Sequence, residues 1–206
     1  TQTLTSNASS VYFYGIPQNF TDLVLKISAR SNTNGPADNV DVTFNSASNS
    51  TTSMARKFLE TTSGSTLTLG NANPDNHWFV VPGATVTAST FSVSEMYLSN
   101  YSSTSINKSA VIDNAAIGAS TINMSLMQGQ YLSNAAVTSI LLTPFAGTLL
   151  LSGSTFSLYG VHGAKASGGT ITSDSKYTYH TFTSTGIFIA LEQIKNAEIL
   201  VVAGGA

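Results

Sequence analysis

The sequence predicts an all-β protein, an antiparallel β-sandwich or jelly roll followed by a small β module, on three observations. Its polarity comes from hydroxyls instead of charges: 57 of 206 residues are Ser or Thr, while charged residues make up only 9% against about 25% in an average domain. Threonine favours pleated surfaces, and the lysines and glutamates that usually fill exposed helix positions are scarce. Apolar residues recur with a period of two, most cleanly where Leu23, Leu25, Ile27 and Ala29 alternate with Val24, Lys26, Ser28 and Arg30, the pattern of a strand with one buried face. Turn formers cluster between such runs, as in Asn32–Asn39 (NTNGPADN) and Gly70–Asn76 (GNANPDN).

The elements follow in order. Thr1–Ser10 is polar and reads as a lead-in, mobile or held by a partner. Val11–Tyr14 is a short strand ended by Gly15-Ile16-Pro17. The Leu23–Arg30 run is expected to be a central strand with Lys26 and Arg30 on the solvent face. Val40, Val42 and Phe44 alternate with Asp41, Thr43 and Asn45, and the intervening loop is expected to return this strand beside the previous one. A polar loop over Asn45–Ser53 precedes Met54–Thr62, which suits a strand or one helical turn, the strand being preferred because nothing there caps a helix. Short strands follow at Leu67–Leu69, His77–Val81, Thr90–Leu98, Ala110–Ile112 and Thr121–Leu126, with Phe91, Val93 and Tyr97 sharing one face of the third and the Ser-rich loop Tyr101–Lys108 after it.

Tyr131–Val161 is the most apolar stretch. It is read as two arms, Ala135–Thr143 and Thr148–Tyr159, joined by a Pro144–Gly147 turn, with Leu141, Leu149, Leu151, Phe156 and Leu158 as its buried face. An isolated hairpin is marginal in water, so the remaining strands are expected to cover it. Composition shifts at Gly163–Gly169 (GAKASGG), a linker-like run. The organisation predicted is a lead-in over 1–10, a β-sandwich over 11–161, and a β module over 162–206. In that module Tyr177–Phe182 and Gly186–Leu191 form a hairpin and Ala197–Val202 a third strand.

Several function classes are disfavoured. A net charge of −2 with eight scattered basic residues gives no basic stripe for nucleic acid. No apolar run approaches the roughly 18 residues that span a bilayer. The absence of cysteine removes disulfides, thiolate metal sites and thiol nucleophiles. The chain opens on Thr1 with no signal-like apolar region after it, so a processed or trimmed piece is expected.

Candidate chemistry is sparse. His77, His162 and His180 are far apart, without a second ligand at metal spacing, and His180 reads as one half of a cross-strand pair. Asp38, Asn39 and Asp41 suit either a calcium cup or Asx turns, without the spacing of an EF-hand. Asp75, Asn76, His77 and Trp78 crowd a carboxylate, an amide, an imidazole and an indole together. That is the equipment of a sugar-binding surface, where a ring stacks on the sugar and amides meet its hydroxyls; it equally suits a polar turn leading into core. No Gly-x-Ser-x-Gly elbow and no carboxylate pair stands out. Neither a catalytic residue, a metal nor a cofactor is expected.

Beside this stands a resemblance. Ile16–Thr21 (IPQNFT), the Leu23–Arg30 strand and Val42–Asn45 (VTFN) resemble the opening of a domain recurrent in tailed-phage virion proteins of the marine, cyanophage type. Tyr101–Lys108 resembles its polar loop, and Leu132–Ile140 and Phe156–Gly160 (FSLYG) its closing strands. Tyr177–Ala206 is similar to the segment that precedes glycine-rich tips in phage fibres and adhesins, whereas Gly64–Gly83 departs from the pattern. The resemblance implies a virion structural or tail-fibre protein that serves assembly and host attachment without catalysis. Its partners would be copies of itself, trimers favoured, with other virion proteins and a host surface glycan. A capsid decoration or head-fibre protein and a carbohydrate-binding module are the alternatives.

Overall fold

The computed structural model of the chain describes residues 1–45, 54–61, 67–117, 122–161, 166–174, 177–190, 194 and 197–202. The loop expected over 46–53, His162, the start of the linker and the glycine-rich end lie outside them. The described residues are all-β and divide into Thr1–Val161 and His162–Ala206.

The first unit is an antiparallel β-sandwich. Its strands are β1 (Gln2–Thr3), β2 (Val11–Phe13), β3 (Asp22–Ser28), β4 (Ala37–Phe44), β5 (Met54–Thr61), β6 (Leu67–Ala72), β7 (His77–Pro82), β8 (Val93–Leu98), β9 (Lys108–Ile117), β10 (Ile122–Tyr131), β11 (Ile140–Pro144) and β12 (Thr155–Val161). Eight form one sheet in the order β1-β12-β3-β8-β9-β10-β5-β6, and four form the other, β2-β11-β4-β7. Alternation explains the core between them. Leu23, Leu25 and Ile27 of β3 meet Val40, Val42 and Phe44 of β4 in one buried cluster, and successive side chains of each strand point to opposite faces. Phe44 packs edge-on against Trp78 and Tyr131, with ring centroids 5.5 and 5.2 Å apart.

Several sequence expectations are corrected. β3 is internal to its sheet as predicted, but β4 lies in the opposite sheet, so the two do not pair. The apolar arms of Tyr131–Val161 are likewise not a hairpin: β11 pairs with β2 and β4, and β12 with β1 and β3. The chain crosses between sheets around Leu150, and the buried leucines are Leu142 and Leu150 in place of Leu141, Leu149 and Leu151. In β8 Val93 and Tyr97 share a face as expected, but it is the outward one; the core face is Ser94, Met96 and Leu98, and Phe91 lies ahead of the strand. The short strands foreseen near 110 and 121 are the long partners β9 and β10, joined over ten register pairs. The lead-in is tied down within the chain: β1 pairs with β12, and Leu4 N donates to Ser154 O at 2.9 Å.

In the second unit, β13 (Ala166–Ser167) pairs with β16 (Ile189–Ala190) and β14 (Thr170–Ser173) with β15 (Thr178–Thr181). The hairpin therefore precedes the position expected for it. Ala197–Val202, expected as a third strand, belongs to no strand. His180 stands opposite Ile171 across the hairpin, as a cross-strand pair requires.

Candidate functional site

The Asp75–Trp78 neighbourhood is built by the start of β7, and a β-bulge decides its chemistry. Val40 is paired with Phe79 but Asp41 with His77, so Trp78 is the extra residue. A bulge turns consecutive side chains toward one face, and Trp78 and Phe79 are both fully buried. The indole lies over Gly129 of β10, where an added Cβ would sit 2.7 Å from Trp78 Cζ2. Trp78 thus has no ring face for a sugar, and the binding surface expected around it does not form there. Asn76 is also buried and donates to Val42 O at 3.2 Å.

His77, in contrast, points outward and meets Asp41, a carboxylate 36 residues away in sequence that β4 places beside it. Sequence spacing gave no sign of this partner, which only the pairing of β4 with β7 brings to the imidazole. Phe145 closes over the imidazole with ring centroids 3.9 Å apart. Burial raises the Asp41 carboxyl above its ordinary range, and the pairing with His77 opposes that rise. Asp75 accepts from His77 N at 2.7 Å and pairs with Arg56 Nε at 3.1 Å, while Arg56 Nη1 donates to His77 O at 2.6 Å. Asp38 accepts from the N–H groups of Asn39, Ala146 and Gly147 at 2.8 to 3.0 Å. Turn-holding, not calcium cupping, is what its oxygens do. Among the described residues no group of three or more His, Asp or Glu is arranged to hold a metal. This corner clamps the 144–147 turn onto β4 and β7.

Two buried cations escaped the sequence reading. Arg30, expected on the solvent face, is only 6% exposed. Its guanidinium donates to the carbonyls of Thr87, Thr90, Ala84 and Val86 at 2.6 to 3.3 Å. Lys108 is fully buried, its Nζ donating to Ser103 O at 2.7 Å, Ile106 O at 2.8 Å, Asn134 O at 3.2 Å and Ser133 O at 3.5 Å. Both close irregular loops whose carbonyls have no sheet partner. A lone cation bordering a loop of Ser, Thr and other turn formers, in a chain this poor in charge, is the available signal.

The remaining candidates are surfaces. Outward residues of the eight-stranded sheet line up in rows fixed by register. One row runs Tyr159, Val24, Tyr97, Val111, Gln128, Lys57; the next runs Ser157, Lys26, Glu95, Asp113, Leu126, Leu59, Leu69. The β10–β6 end is apolar, exposing Met124, Leu126, Leu67 and Leu69. The β12–β8 end mixes tyrosines with charges. In the second unit Ile199, Leu200, Val201 and Val202 are each 82–87% exposed. No protein family, curated protein or solved structure matches the chain.

Proposed function

We propose that the chain is a structural component of a tailed-phage virion, a tail-fibre or fibre-base protein that works as a homo-oligomer and carries no catalysis. The observation that carries the assembly part is the run Ile199–Val202, four consecutive aliphatic side chains left almost entirely in water. An apolar run of this kind marks an interaction surface. The apolar end of the outer sheet face supports the same reading. The virion setting rests on the ordered sequence resemblance, and threefold copies suit a fibre axis.

Sedimentation of the full chain tests assembly. A discrete oligomer is expected, reduced to monomer by Val201→Asp, with the thermal transition of the Thr1–Val161 unit unchanged. A wild-type protein that stays monomeric at all concentrations would overturn it. Immunogold labelling of purified particles tests the setting: label on the tail supports the fibre seat, label on the head moves the protein to a decoration role, and unlabelled particles refute the virion reading.

A further inference from the structure

We infer that the tyrosine-rich end of the outer sheet face is a binding site for a neutral oligosaccharide chain, seated across Tyr159 and Tyr97 above the Lys26, Glu95 and Asp113 row. A depression of ≈590 Å³ lies there, lined by these five residues together with Ser157 and neighbouring strand residues. Both tyrosines are register partners of Val24, one from β12 and one from β8. Their rings therefore stand in one row, two strand spacings or roughly 10 Å apart, the separation of alternate residues along an extended glycan. Tyr159 is 50% and Tyr97 39% exposed, so both side chains are open to a ligand from solvent.

The site is organised before any ligand arrives. Tyr97 Oη donates to Asp22 Oδ2 at 2.5 Å, and Asp22 Oδ1 accepts from Asn100 N at 2.7 Å. With its hydroxyl already satisfied, Tyr97 offers a ring in fixed orientation, which lowers the ordering cost of binding. The adjacent row supplies hydrogen-bond partners for sugar hydroxyls. Lys26 Nζ and Glu95 Oε2 are 2.9 Å apart with both side chains about half exposed, and Ser157 and Asp113 flank them in register. Charge selects the ligand class. One ammonium faces two carboxylates in the row, with Asp22 nearby, so sulfated, phosphorylated or uronic chains are repelled and neutral ones are not. As a means of host attachment the site rests on the virion reading; as a site it lies wholly within Thr1–Val161.

Saturation-transfer NMR and calorimetry on the full chain, with cellohexaose, laminarihexaose, maltohexaose, mannohexaose and a sulfated heparin hexasaccharide as probes, test it. At least one neutral hexasaccharide is expected to bind, and Tyr97→Ala and Tyr159→Ala each to weaken it about tenfold at unchanged thermal midpoints. Tyr97→Phe, which keeps the ring, is expected to weaken it less than Tyr97→Ala does. Val201→Asp should bind like wild type, so a failure of assembly and a failure of this site read out separately. The inference is overturned if no neutral probe binds, if binding survives both alanine substitutions, if the sulfated chain is preferred, or if Tyr97→Ala instead abolishes self-association, which would make the face a protein interface.

Discussion

Lys108 shows how much one side chain can hold in a protein with so few charges. Its ammonium sits among four backbone carbonyls from two separate loops, and among the described residues no carboxylate pairs with it. Burial lowers its pKa from 10.5. The sign follows from proton counting: between the lowered value and 10.5 the unfolded chain binds more protons than the folded one, so stability rises with pH across that window. Lys108→Met is expected to cost about 3 kcal/mol by leaving buried carbonyls unpaired, and to remove that rise. Urea unfolding of both proteins, from neutral pH to 10.5, measures the two effects together. Arg30 teaches the related lesson about legibility. Its place in the alternation put it on the solvent face, yet β3 ends at Ser28. Beyond a strand end the period of two no longer applies, and Ala29, Arg30 and Ser31 are buried in succession.

At the level of elements, β7 and β10 depend on each other. The bulge turns Trp78 inward, and the bare backbone of Gly129 gives the indole its seat. Gly129→Ala is expected to destabilise by about 2 kcal/mol through overpacking, with the near-ultraviolet circular dichroism of the single tryptophan altered. An unchanged midpoint and spectrum would show that the seat has slack. In HWFVV every residue except the histidine is apolar, so the sequence carried no sign of the bulge or of which ring would be hidden. Asn114 is a second element-scale device, donating from β9 to Trp78 O at 3.2 Å and to Ser125 Oγ at 3.1 Å, so it bridges the two sheets through the core. The sugar-type surface read at Asp75–Trp78 was a reasonable composition of groups in the wrong conformation. Tyr97 and Tyr159, 62 residues apart in sequence, could be associated only through their shared neighbour Val24.

For the molecule as a whole, the first unit closes its own core and the second exposes much of its apolar surface. Thr1–Val161 contains both sheets of the sandwich and the entire core cluster around Phe44 and Trp78. Expressed alone, it is expected to unfold in one cooperative transition at the midpoint seen for that unit in the full chain, checked by calorimetry. Loss of the transition would mean that the sandwich leans on the second unit. The opposite asymmetry holds for Ile199–Val202, whose exposure in a single chain is the physical ground for expecting further copies.

Hydroxyl-rich polarity, period-two runs and turn clusters suffice to fix an all-β protein, and they mark the inward faces of β3 and β4 correctly because both strands are regular over most of their length. Which strands are neighbours is set by long-range pairing and is not legible in the pattern. Alternation states which face of a strand is apolar, but not which sheet it joins. Partners such as β3 and β12 lie far apart along the chain, and crossings such as the one at Leu150 reset the phase. Both sites considered, the turn clamp at Asp41 and His77 and the tyrosine groove, are made by that long-range pairing.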